Sequence, residues 1–299
     1  MYSYYTTSYG GRTIHIIKAQ SDAAHDVCIS IMADRFDSAS PRKLLSNFGD
    51  GYLESNGFSK VGSINGGLFF QLGSYFYANG IEKAFWNVNE NDDPSLDGVM
   101  GVAHNGDASN TPIISLQSSM KANLGGYRGA ITGAFGLLQG GSVIQGNTSL
   151  LGDYSSSRGR SIVGKDSAGA TYFIAVADTG GLTGSQCVGL VQSLGLSDAV
   201  ALDGGGSTGL IYEGSWQVST GRLVKNAIGL YVKAKSDPGG GANLPAAFRV
   251  SDGYVPMFGK RMPHLIKVND VLVPIKAIQV KTANGLVDIN EWNIEDGVV

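Results

Sequence analysis

Two aspartates, Asp178 and Asp203, each close an apolar run, FIAVAD and DAVALD, and a helical pattern lies between them. Carboxylates carried to strand ends beside flexible loops can do acid–base or charge-stabilising work, and α/β architectures tend to build sites at such ends. Asp203 is followed by Gly204, Gly205, Gly206, Ser207 and Thr208 before the next strand-like run, TGLIYEG. Three successive glycines cost much conformational entropy, and a simple turn needs one or two. Three readings of the segment stand side by side. It is a tight strand-to-strand connection; or a phosphate cradle, whose N–H groups converge on an anion with Ser207 and Thr208 as hydroxyl donors; or a holder for a catalytic Asp203 with no side chain in the way. The second and third are compatible. No lysine follows the glycines and the next element reads as a strand, so a P-loop is excluded, and the spacing of a dinucleotide fingerprint is also absent.

The elements that must position these groups are mostly short strands. RTIHIIKA (12–19) and DVCISIMA (26–33) read as strands, and Ser40-Pro41 predicts a short helix through Leu44, Leu45 and Phe48 that stops at Gly49. GAITGAFGLLQGGSVIQG (129–146) reads as two strands broken at Gly140-Gly141. RGRSIVG and ATYFIAVAD form a hairpin closed by KDSAG. A helix from about Ser185 buries Cys187, Leu190, Val191 and Leu194, spaced i, i+3, i+4, i+7, and ends at Gly195. DAVAL then delivers Asp203. The chain divides into a main domain (1–235), a Gly/Pro linker (236–245) and a small β-rich module (246–299) with hairpin signals at Asn269-Asp270 and Asn284-Gly285.

Composition narrows the function classes. With 42% hydrophobic and 16% charged residues the chain is globular rather than disordered. Its 44 glycines, about twice the usual share, mark many tight backbone passages. A net charge of −3 gives no electrostatic reason to expect nucleic acid or an anionic membrane as partner. The apolar runs are too short for a transmembrane helix, and the N-terminal stretch lacks the pattern of a secretory signal. Cys28 and Cys187 are too few for a disulfide framework; they either pair with each other or are two buried thiols, and the second reading is favoured.

Four strings, in order, resemble the phosphodiester glycosidase family: INGGLFF (64–70), RSIVG (160–164), FIAVAD (173–178) and LDGGGST (202–208), the last trailed by GRLVKNAIGLYV (221–232). Local departures are an extra residue in NGGLFF, Ser161 where threonine is usual, and Gly209-Leu210 after Thr208. The resemblance implies cleavage of a sugar-1-phosphodiester between the anomeric carbon and a phosphate oxygen. A phosphate leaves readily, so such a site needs charge stabilisation at the phosphate and a carboxylate near the developing oxocarbenium ion. It assigns Arg160 to the phosphate, as a planar and permanently charged fork. Asp203 becomes nucleophile or charge stabiliser and Asp178 base or orienter. Gly204, Gly205 and Gly206 with Ser207 and Thr208 donate to phosphate or sugar, and Asn65 with Gly66 meets the sugar. It implies an α+β fold, a mixed, strand-rich sheet with a few helices, plus the C-terminal β module. No cofactor or metal is implied.

Plainer readings accompany these. Arg160 is otherwise a surface strand residue paired with Asp153 or Asp166, and Asp178 otherwise shapes a turn or caps the helix. His104, in AHNGD, reads as a solvated loop residue. Asn91, Asp92, Asp93 and Asp97 lack the order of a calcium loop, so a structural Ca²⁺ is not indicated. Glu213 reads as exposed in a hairpin turn. The alternative function is a non-catalytic carbohydrate-binding or adhesin protein on the same scaffold. The C-terminal pieces resemble appendage modules of phage virion proteins, which suggests a virion or homo-oligomeric assembly acting on teichoic acid or another surface polymer.

Overall fold

Strand formation dominates the chain because apolar and β-branched runs are short and bounded by glycine-rich turns. The computed structural model describes residues 1–33, 41–67, 100–104, 111–116, 119, 127–144, 154–219 and 221–235, with the backbone of strands at 74–78, 82–86, 265–268, 271–274, 279–282 and 285–288. The acidic loop with Asn91, Asp92, Asp93 and Asp97, the linker, and Asp153 lie outside the described residues. The first strands are β1 (Tyr2–Tyr9), β2 (Arg12–Ala19), β3 (His25–Met32), β4 (Ser59–Asn65), β5 (Ser74–Ala78) and β6 (Glu82–Trp86). There follow β7 (Met100–His104), β8 (Ile113–Leu116), β9 (Gly129–Thr132), β10 (Phe135–Gln139) and β11 (Ser142–Val143). The motif-bearing half supplies β12 (Arg160–Asp166), β13 (Thr171–Val176), β14 (Leu196–Ala201), β15 (Leu210–Tyr212), β16 (Ser215–Val218) and β17 (Ala227–Ala234).

Among the described residues these strands form a seven-stranded sheet in the order β1-β2-β13-β12-β14-β10-β11 and two five-stranded sheets, β16-β15-β4-β17-β3 and β6-β5-β9-β7-β8. Every pairing in them is antiparallel, which corrects the expected mixed sheet. Hairpin turns give antiparallel neighbours, whereas a parallel pair needs a crossover. One ten-residue helix (Gly184–Ser193) links β13 to β14, and β12 lies between those two strands, so this crossover yields no parallel pair.

The central strands of the first sheet are covered on both faces, which is why β13 and the adjoining ends of β12 and β14 read as apolar runs. Ile17, Val163, Phe173 and Val200 point to one face and pack with Ile29, Ile64, Leu210 and Ile228 of the second sheet. Their chain neighbours Ile16, Ile162, Ile174 and Ala201 point to the other face and meet the helix through Cys187, Leu190 and Val191. That helix begins at a capping box, where Thr183 accepts from the Gln186 N–H and Gln186 accepts from the Thr183 N–H. Both cysteines are buried free thiols, and burial pushes each up to about 12.

The helix expected at 41–48 is a correction. Lys43 bridges to Val224 through two backbone hydrogen bonds of 2.8 and 2.9 Å, which holds this stretch extended. A single 3₁₀ turn follows at Leu45–Asn47, and α1 (Gly51–Ser55) starts only after Asp50 caps it by accepting from the Tyr52 and Leu53 N–H groups. Tertiary pairing overrides the Pro41 start signal here. The helix Gly184–Ser193, which links β13 to β14, is α2.

The chain divides into two compact units, Met1–Lys235 and Ser236–Val299. In the second, Leu265–Val268 pairs with Val271–Pro274 and Gln279–Thr282 with Gly285–Asp288, two hairpins. Thr282 pairs with Gly285, so Gly285 stands in a strand rather than in the turn expected at Asn284-Gly285.

Candidate active site

β13 and β14 run the same way on either side of β12, so Asp178 and Asp203 follow two like-directed strand ends. Two inter-strand spacings put those ends roughly 10 Å apart at the backbone. The start of β12 fills the space between them. Gly159 donates its N–H to Asp178 Oδ1 at 2.7 Å and accepts from the Gly205 N–H at 2.9 Å, joining the carboxylate to the glycine loop. Thr208 Oγ1 and the Asp178 backbone crowd the same glycine, and a Cβ there would come within 2.7 Å of the hydroxyl. Asp178 is exposed, and its Oδ2 bonds no other protein group among the described residues. Asp203 is 8% exposed.

The glycine loop crosses between layers. It leaves the first sheet after β14 and enters the second at β15, and Asn65 at the end of β4 holds both ends of the crossing. The Asn65 amide donates to the Asp203 carbonyl at 2.8 Å and to Gly66 O at 3.3 Å, while its Oδ1 accepts from the Gly209 N–H at 3.0 Å and from Ser161 Oγ at 2.5 Å. Gly66 reinforces this clamp, its carbonyl accepting from the Asp203 N–H at 3.1 Å. Inside the loop Gly205 has φ +56°, and Gly205–Ser207 makes one 3₁₀ turn in which Ser207 and Thr208 donate to Gly204 O and Gly205 O at 3.1 Å each. Ser207 Oγ and Thr208 Oγ1 are buried and bond no other described group. A buried hydroxyl without a partner is costly, and a polar ligand would offset that cost.

Arg160 is not a surface residue. It is 1% exposed, donates from Nε to Leu182 O at 2.7 Å and from Nη2 to Ser156 O at 2.6 Å, and lies over the Phe135 ring at 5.3 Å. Sequence reasoning passed over Gly159, Arg158 and Arg222, and also Asn226, which is 1% exposed with both side-chain polar atoms unbonded among the described residues and packs directly against Gly66. The signal for the arginines was the pair of strings RGR and GR flanking motif strands. The signal for Asn226 was a lone polar residue entering the apolar run of β17.

His104 is a second correction: it is no solvated loop residue. It ends β7 at 2% exposure, and Nε2 accepts from the Ile31 N–H at 3.4 Å. Burial first, and the nearby Arg128 guanidinium second, push it down to about 3, so its ring is neutral. Arg128 pairs with Asp50 at 3.1 Å and stacks on Tyr52 at 3.9 Å. Glu213 is exposed in its turn, as its sequence context suggests, with φ +46°.

Residues 56–231, more than half of the chain, match the phosphodiester glycosidase family, NAGPA. No curated protein matches the chain by sequence. Among solved structures, a hypothetical protein from Synechocystis is 14% identical with a TM-score of 0.50, the match covering 78% of this chain and 62% of that one. This chain thus spans less than two thirds of that protein's length. The catalytic domain of zebrafish N-acetylglucosamine-1-phosphodiester alpha-N-acetylglucosaminidase, auto-inhibited by its pro-peptide, is 15% identical with a TM-score of 0.50, covering 77% of this chain and 81% of that one. At these identities the likeness is one of fold.

Proposed function

Because this chain belongs to the phosphodiester glycosidase family, we propose that it hydrolyses a sugar-1-phosphodiester at the anomeric carbon. The observation that carries this reading is the meeting of Asp178, Gly159 and the Asp203–Thr208 loop at one end of the central strands β13, β12 and β14. In the proposed reaction the bond between the anomeric carbon and the phosphate oxygen breaks, and the phosphate departs with the electron pair. The Asp203 carboxylate faces the positive charge that develops on the sugar. Water adds to the anomeric carbon, and Asp178 takes its proton through Oδ2, the oxygen not tied to Gly159. Asn65 is a positioning residue in this scheme: its amide fixes the backbone on both sides of the loop. The hydroxyls of Ser207 and Thr208 are the loop donors for sugar or phosphate oxygens.

The test is incubation with a panel of sugar-1-phosphodiesters and phosphodiester-linked surface polymers such as teichoic acid, reading released reducing sugar. Release from at least one member, lost in Asp203→Asn, is the expected result. A panel that yields no sugar while the chain still retains the glycans would favour the non-catalytic carbohydrate-binding alternative.

A further inference from the structure

We infer that Arg158 and Arg222, rather than Arg160, grip the phosphoryl group, an inference that deepens the glycosidase reading and rests on it. Negative charge grows on the phosphate as the bond breaks, so donors fixed beside it lower the barrier. Apart from the Ser207 and Thr208 hydroxyls, several of the donors first expected there are engaged elsewhere. The N–H groups of Gly205, Ser207 and Thr208 all donate to backbone carbonyls. Arg160 uses Nε and Nη2 on the carbonyls of Leu182 and Ser156 and is sealed beneath the loop. Its part is to hold the 156–160 and 182 segments in place.

Two exposed arginines instead lie over successive glycines. A methyl built on Gly205 would stand 3.8 Å from Arg158 Cδ and 4.0 Å from its Nη1. One built on Gly206 would stand 3.5 Å from Arg222 Nη1 and 3.6 Å from its Cδ. The same point on Gly205 lies 4.0 Å from Asp178 Oδ1, so a guanidinium and the candidate base face one glycine. Both arginines rise from anchored backbone. Arg158 exchanges two backbone hydrogen bonds with Leu182, at 3.3 and 2.8 Å, and Arg222 stands two residues before the Val224–Lys43 bridge. Two guanidinium forks from separate segments offer parallel donors to a phosphoryl oxygen pair, a geometry that lysine cannot reproduce. With the chain at a net charge of −3, this is a local feature rather than a generally basic surface.

The experiment measures binding of N-acetylglucosamine 1-phosphate, inorganic phosphate and free N-acetylglucosamine to the full chain by calorimetry. The proteins compared are wild type, Arg158→Ala, Arg222→Ala and Arg222→Lys. Lys165→Ala serves as a charge control, since Lys165 pairs with Asp198 at the far end of β12. Each alanine variant should weaken the sugar phosphate by about tenfold, and Arg222→Lys should recover only part of that. Melting temperature and free-sugar affinity should hold, and Lys165→Ala should match wild type. On substrates, the ratio of kcat/KM for a sugar-1-phosphodiester over an aryl glycoside of the same sugar should fall by about tenfold. Unchanged sugar-phosphate affinity in both alanine variants, equal loss for free sugar and sugar phosphate, or no phosphate binding by wild type overturns the clamp. A wild type that binds with arginine dependence but releases no sugar overturns the hydrolytic reading and leaves the clamp standing. A wild type that hydrolyses the diester indifferently to both arginines does the reverse.

Discussion

Asp203 and His104 are both buried polar residues, and the chemistry of burial separates their roles. Asp203 sits at 8% exposure with its backbone held on both sides, by Asn65 at its carbonyl and by Gly66 at its N–H. Asp203→Asn keeps the shape and removes the charge, so turnover should fall by at least about 10²-fold with little change in melting temperature. Steady-state kinetics beside a thermal melt check this, and full activity would remove Asp203 from the reaction. His104 predicts a pH effect instead. Its folded value of about 3 lies below the ordinary 6.5, so between these the unfolded chain binds the extra proton. Its stabilising contribution is complete above pH 6.5 and is lost as pH falls, at up to about 1.4 kcal/mol per pH unit. Asp22 and Asp166, both held below the carboxylate range, act only below about pH 4. Burial also lowers His15, so the slope between pH 4 and 6.5 is shared. Urea titrations of His104→Gln at pH 7 and 4.5 should show a smaller pH difference than wild type; equal differences would mean that His104 titrates normally.

At the scale of elements, the three glycines of the loop are required for different reasons, and alanine at each gives a different outcome. Gly205, at φ +56°, lies where a side chain is strained, so Gly205→Ala should cost about 1 kcal/mol or more. Gly204→Ala would bring a Cβ within 2.7 Å of Gly159 O and so push the loop away from the strand that holds Asp178. Gly206 has no left-handed backbone, and its added methyl would meet only Arg222 at ordinary contact distance. Gly206→Ala should therefore melt like wild type while weakening phosphodiester turnover. Differential scanning calorimetry of the three variants, read with their kinetics, checks the order. Gly66→Ala is the severe case, because Asn226 Oδ1 and Ile131 occupy the space a methyl would need, and a loss of about 1–3 kcal/mol follows.

For the whole molecule, every motif residue falls within Met1–Lys235, the first compact unit. Lys235 closes that unit: its N–H donates to Ala24 O at 2.7 Å, and its ammonium reaches Asp22 O at 2.8 Å and Asp26 at 3.4 Å. A chain ending at Lys235 should fold, melt at the temperature of the first transition of the full chain, and cleave a small soluble substrate. Loss of attachment to a polymer would assign that task to residues 236–299. An insoluble product would show that the first unit depends on the second.

The order of strands in the motif-bearing half was legible in the residues themselves. β12, β13, α2 and β14 follow from runs such as TYFIAV, from i, i+3, i+4 spacing, and from Gly195 as a stop, because local burial patterns and turn chemistry are written in adjacent residues. The same runs placed Asp178 and Asp203 at strand ends. What the sequence could not express was which ends meet and which polar groups are already satisfied. Pro41 signalled a helix that pairing with Val224 prevents, and AHNGD signalled solvent for a histidine that the sheet buries. Arg160 and Arg158 differ by two positions in one string, yet the fold seals the first against Phe135 and leaves the second over Gly205. Residue type determined that a charged fork stands near the loop; burial, set by segments far apart in the chain, decided which arginine is exposed.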